Sequence, residues 1–178
     1  RNKTFYDFPQ ISTVVKWREN APKRFEFTVK AHQDISHKFK LQPEASASTF
    51  GQMKQICKLL EAKILLIQTP ASFGPNNLGD AEEFFEKMNR DDLILAWETR
   101  GSLWEQKAVY QRLNKILETM NVVHVTDPFK VMPAYTGTIA YFRLHGLGDR
   151  MYYYQYSNEE LKRLHEFAKS FENEGKEV

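Results

Sequence analysis

A single cysteine, Cys57, stands among 178 residues. That excludes an internal disulfide framework and a cysteine-built zinc site, and it agrees with a reducing compartment. Cys57 falls in the apolar-periodic run Met53, Ile56, Cys57, Leu60, so it reads as a small core residue rather than a reactive thiol. No apolar run approaches the ~18 residues of a membrane-spanning helix. The opening RNKTFY lacks the pattern of a signal peptide. Neither sign of charge dominates: 25 basic against 23 acidic residues leave a net +2, which neither requires nor excludes nucleic acid. Repeats and low-complexity segments are missing. So are the Walker loop, the GxGxxG turn, the GxSxG elbow and the HExxH helix, which leaves nucleotide-fold, serine-hydrolase and zincin readings without support. The expectation is one soluble, cytoplasmic domain over 1–178 with no membrane partner. Its oligomeric state is not specified by the sequence.

The sequence does contain enough apolar residues for a sizeable core, 42% against 27% charged. Its elements alternate. Lys3 to Tyr6 reads as extended, and Ser12 or Thr13 as the cap of a short helix over VVKWREN. RFEFTVKA (24–31) has the period of a strand, and STFGQMKQICKLLEAK (48–63) that of a helix capped by Ser48. ILLIQ (64–68) is a continuous apolar run, as in a strand covered on both faces. Asp80 is the expected cap of AEEFFEKMNR, ahead of the strand LILAWE (93–98). A helix over 103–120, strands over 122–126 and 138–145, and a helix opened by a Ser157–Glu160 capping box complete the chain. About six strands and five helices in this order predict an α/β fold with a parallel sheet. The stretch 127–137, with Pro128, Pro133 and Gly137, reads as a loop too short to divide domains.

Each strand begins apolar and finishes polar. The ends carry Lys30 and His32, then Gln68, then Glu98 and Arg100, then His124 and Asp127, then Arg143 and His145. In parallel α/β sheets, ligands and chemistry gather at the carboxyl ends of the strands. A buried charge needs a partner or a role, and a shared cleft would supply both. The blander alternative is that strand ends simply emerge into water, with Glu98 and Arg100 as a structural ion pair.

The segments TFYDFP, FEFTVKAHQDISH, LLIQTPASF, AWETRGSLW, HVTDPF and AYFRLHG, in this order, resemble the domain of unknown function 72 (YecE-like) family. The resemblance spans nearly the whole chain and implies a TIM-barrel-like fold. Two positions depart from the family pattern: Thr69 stands where leucine is usual, and Gly101 follows Arg100 where histidine is common. The family also opens with a glycine-rich strand and closes with an asparagine-bearing one. Neither is found in these 178 residues, so a chain trimmed at both ends is expected.

The resemblance carries no activity, and function is read from the residues. Lys30, Arg100 and Arg143 suit an anionic ligand, because arginine forks onto phosphate or carboxylate. Glu98, Asp127 and His145 are the expected acid–base residues. Tyr6, Lys30, His32, Gln68, Arg100, Trp104 and Arg143 are the expected substrate-binding residues, with Phe5, Tyr6 and Trp104 either a stacking wall or simple packing. His32, His37, His124, His145, Glu98 and Asp127 include ligand types for Zn²⁺ or Mn²⁺. The neighbouring cations oppose a metal and no dedicated ligand spacing occurs, so a divalent metal stays an open alternative. Two main readings follow: a phosphoesterase- or nuclease-type hydrolase of an anionic substrate, or a non-catalytic domain binding an anionic ligand or nucleic acid. An interaction protein with a vestigial cleft is the third.

Overall fold

A computed structural model describes residues 3–148 and 153–178. The chain divides into two compact units, Arg1–Trp104 and Glu105–Val178.

The first unit is built on three parallel strands, β1 (Thr28–Lys30), β2 (Ile64–Gln68) and β3 (Ile94–Glu98), with β2 in the middle. Its register pairs Lys30 with Leu66 and Gln68 with Glu98. Leu65, Leu66 and Ile67 of β2 and Leu95, Ala96 and Trp97 of β3 are all buried. Such strands lose water from both faces, which is why their apolar residues run on without alternating. Helix α3 (Pro43–Leu60) connects β1 to β2, and α4 (Leu78–Lys87) lies between β2 and β3. Phe50, Met53, Ile56, Cys57 and Leu60 of α3 recur at helical spacing and are buried, as are Leu78, Ala81, Phe84 and Phe85 of α4. Burial pushes the Cys57 thiol up to about 12, so it is the core residue expected.

Several expected boundaries shift. Lys3–Tyr6 is a single helical turn, α1, instead of an extended start; the Thr4 hydroxyl donates to the Lys30 carbonyl at 2.7 Å and docks the turn on β1. Helix α2 (Ile11–Asn20) begins after Gln10, so Ser12 and Thr13 lie inside it and neither caps it. The expected strand 24–31 shortens to Thr28–Lys30. The Phe25 carbonyl accepts from Arg18 instead of from a neighbouring strand, and the same guanidinium holds the carbonyls of Ala21 and Pro22 just before it. Helix α3 starts five residues before Ser48, with Pro43 in its first turn, where a missing N–H costs nothing. Asp80 sits within the first turn of α4 and accepts from Asn77 at 3.0 Å.

In the second unit, the expected helix 103–120 is a 3₁₀ turn, Ser102–Glu105, followed by α5 (Lys107–Met120); only Glu105 of that turn belongs to this unit. The fifth expected strand contracts to β4 (Val123–Val125), all buried. The sixth, 138–145, is no continuous strand. It changes partner midway: Ala140 N–H donates to Glu177 and Glu177 N–H to Thr138, whereas Arg143 N–H donates to Thr126. Only isolated parallel bridges remain, Ile139–Glu177 and Thr126–Phe142. Helix α6 (Asn158–Asn173) carries the expected capping box in full, with Ser157 and Glu160 each accepting from the other's N–H. Among the described residues the totals are four strands and six α-helices, rather than six and five.

Candidate functional site

At the carboxyl ends of β1, β2 and β3 the first unit brings together Lys30, Gln68, Glu98 and Arg100. The Lys30 ammonium donates to Gln68 Oε1 at 3.0 Å and lies 3.7 Å above the centre of the Phe5 ring. Glu98 is only 3% exposed. Arg100 answers its charge by donating both Nε, at 3.2 Å, and Nη2, at 3.1 Å, to Glu98 Oε1. The sheet register explains the grouping. Gln68 lies level with Glu98, while Lys30 lies level with Leu66, two residues short of Gln68 and therefore on the same face, so its long side chain reaches forward to the amide.

Thr69, noted in the sequence only as a departure from the family pattern and not as a site residue, supports this row. Its N–H donates to the Glu98 carbonyl at 3.2 Å, and its buried hydroxyl accepts from Trp97 Nε1 at 3.1 Å. A leucine there would leave the indole N–H unpaired, which is the physical sense of the departure from the family pattern. Gly101 has φ +106°, a conformation that L side chains rarely adopt, so a histidine at this position would be strained.

The remaining expected residues of this unit are placed differently. His32 is buried. Its Nδ1 accepts from Asp34 N–H at 3.2 Å, so Nε2 carries the proton and donates to the Tyr6 carbonyl, also at 3.2 Å. Its ring stacks on Phe8 at 4.4 Å. His32 thus ties the Tyr6–Phe8 segment to the end of β1. Tyr6 is 64% exposed and meets the edge of Phe5. Trp104 is buried edge-on against Trp97 at 5.4 Å, among the core aromatics. His37 stands on a π-helical turn, Asp34–Lys38, with its ring 5.2 Å from Phe5. Burial first, then the charges of Lys30 and Arg100, hold its imidazole below the ordinary value of 6.5.

The second unit brings Asp127, Arg143 and His145 together through its backbone. Asp127 Oδ1 accepts from Phe129 N–H and Oδ2 from His145 N–H, both at 3.1 Å. The His145 ring nitrogen Nδ1 lies 4.0 Å from the same Oδ2. Arg143 N–H donates to the Thr126 carbonyl at 2.9 Å, next to Asp127. His124 is buried with Nδ1 accepting from Ala134 N–H at 3.0 Å, a fixed neutral tautomer. Gly146 closes the segment at φ +87°. A Cβ there would lie 2.5 Å from that of Tyr154, so only glycine fits. Among the described residues, no three His, Cys, Asp or Glu side chains are grouped as a metal site.

The sequence model of a family described as a protein of unknown function, DUF72, matches residues 1–178. The chain belongs to the DUF72 family. Two crystal structures of a DUF72 family protein from Enterococcus faecalis V583 are similar to it. One is 21% identical with a TM-score of 0.79 and covers 99% of this chain and 78% of that one. The other is 20% identical with a TM-score of 0.77, covering 99% and 74%. At such identity the likeness shows the fold alone: α/β, TIM-barrel-like, with parallel strands. No curated protein matches the sequence. Among the described residues, no helix is long and apolar enough to cross a membrane.

Proposed function

We propose that this DUF72 protein binds a phosphorylated or other anionic substrate at the carboxyl ends of its strands. The observation that carries the reading is the row Lys30–Gln68–Glu98–Arg100 at the ends of three successive strands, in which Arg100 is paired with a buried carboxylate and Lys30 with the neighbouring Gln68. A carboxylate so placed holds Arg100 in a fixed orientation, and a guanidinium held in advance loses little freedom when it captures an oxyanion. Lys30 acts as the point charge and Gln68 aims it. In the hydrolytic form of this reading Glu98 serves as the acid–base group of this row; taken by itself, the second unit offers Asp127 and His145 as a carboxylate–imidazole pair for proton transfer. Arg143 adds a cation to that pair.

A specific observation favours the non-catalytic alternative. Both oxygens of Asp127 already accept main-chain N–H groups, which is the behaviour of a residue that shapes a turn. Titration with inorganic phosphate separates the readings from each other and from failure. Binding that is weakened by Arg100→Lys, together with turnover of phosphate esters that is abolished by Glu98→Gln, supports the hydrolase. Binding without turnover, with or without added Zn²⁺ or Mn²⁺, supports the binding domain. Unchanged phosphate affinity in Arg100→Lys sinks the assignment of Arg100.

A further inference from the structure

The turn that bears His37 is unusual in three respects. It is π-helical, closed by a bond from Phe39 N–H to the Asp34 carbonyl at 2.7 Å. It is followed by two consecutive residues at positive φ, Lys40 at 48° and Leu41 at 61°, of which Leu41 is fully buried. Single π turns and strained bulky residues gather at functional sites, held there by the surrounding packing. The third respect is the ring itself. His37 Nδ1 is fixed at 2.8 Å by the hydroxyl of buried Ser36, while Nε2 has no protein partner among the described residues. The same Phe5 ring that carries the Lys30 ammonium on its face meets the His37 ring at its edge.

We propose that His37 completes the oxyanion site of Lys30 and Arg100 as a proton-accepting third contact, so that the site takes up a proton with its ligand and selects doubly charged phosphate-ester groups over singly charged carboxylates. This rests on the anion-binding reading above. The groups around the imidazole set the sign. Lys30 from β1 and Arg100 beyond β3 are positive, with Glu98 engaged by Arg100. The α1 turn presents the uncharged Phe5 beside Tyr6. On its own segment, Asp34 lies 3.7 Å from His32, and the Lys38 ammonium covers Phe39. On α3, which packs on the turn, Glu44 pairs with Lys87 and Lys54 with Asp91, and Lys58 is exposed. The empty site therefore favours the neutral imidazole. A dianion between the two cations reverses that field, and the imidazole gains a proton, so that Nδ1–H donates to the Ser36 hydroxyl and Nε2–H to the ligand. A monoanion offsets only part of the field and draws less proton uptake.

Sulfate, a dianion at every relevant pH, is the probe. Calorimetric titration near pH 6.5 in two buffers of different ionisation heat should show proton uptake with sulfate. In His37→Gln the uptake should vanish and affinity should fall roughly tenfold, the worth of one charge-assisted hydrogen bond. Ring NMR signals of His37 in the unaltered protein read the same event without a variant: their titration midpoint should rise when sulfate is added. Sulfate binding with an unmoved His37 midpoint overturns the proposal and leaves the anion site standing. Absence of both sulfate and phosphate binding overturns the anion reading, and this proposal with it.

Discussion

The two units hold their polar residues by different means. In the first, Lys30, Gln68 and Glu98 are carried by a continuous parallel ladder whose register is fixed residue by residue, and whose core beneath is aromatic and buried. In the second, one three-residue strand and two isolated bridges give little ladder, and side chains take over the work of the backbone. Asp127 accepts two main-chain N–H groups, His124 accepts a third, and the Tyr156 hydroxyl accepts that of Gly146 at 2.9 Å. Helix α6 has no fully buried residue, though Phe167 and Phe171 lean on Phe129 and Phe142. A polar residue on a ladder is free to serve a ligand because the ladder already places it. A polar residue that makes the local structure has first to satisfy the chain.

The largest expected effect lies under the ladder. Trp97 is fully buried against Phe85 and Trp104 and donates to Thr69. Trp97→Ala should cost about 3–5 kcal/mol in urea unfolding. A loss under 1 kcal/mol would show that this core is not what holds the row.

Asp127→Ala tests the second unit's dependence on side chains. It leaves two main-chain N–H groups without their acceptor, at about 1–3 kcal/mol each if they stay dry. Amide hydrogen exchange should accelerate at Phe129 and His145 above all. Asp127→Asn keeps one acceptor oxygen and should protect one of the two amides. Equal exchange rates in all three proteins would make Asp127 available for chemistry and erase the contrast between the units.

Ser157→Ala removes half of the capping box and should lower stability by about 1 kcal/mol, with faster exchange confined to the first turn of α6. The smallest effect at neutral pH concerns Cys57. Its folded pKa is raised from 9.0 to about 12, so the unfolded chain loses that proton first. The stabilising preference for the thiol is complete below pH 9.0 and is lost as pH rises from there towards about 12. Alkylation at pH 8 should therefore track global unfolding. Rapid modification of the folded protein would contradict the burial of Cys57 on α3.

How far the sequence could be read follows from the range of each interaction. ILLIQ and LILAWE were legible because a strand covered on both faces needs an unbroken apolar run, and the Ser157–Glu160 box because a cap involves four consecutive residues. Residues 138–145 depart from the expected strand for the opposite reason. They have the right propensity, but their partners, Glu177 and Thr126, lie at different distances along the chain and no local pattern announces the switch. The candidate site divides in the same way. The gradient from apolar to polar along each strand pointed to Lys30, Gln68 and Glu98, since parallel strands present the side chains of their carboxyl ends at one edge of the sheet and the period of two puts Lys30 on the face of Gln68. Nothing local revealed that His32 would turn to the main chain or that Thr69 would support the row.

By itself the amino-acid sequence determined the α/β class, the family, the buried strands and helix faces, and the polar character of the strand ends. These follow from periodicity and side-chain hydrophobicity, which act within a few residues. Tertiary structure alone decided which polar group is used up and which is presented. His32 and His37 are five apart in one segment, yet one has both nitrogens bound by main chain and the other keeps Nε2 without a protein partner among the described residues. That difference rests on the π turn and on the docking of Phe5 and Tyr6 across 26 residues, contacts that pay their chain entropy only once the sheet exists.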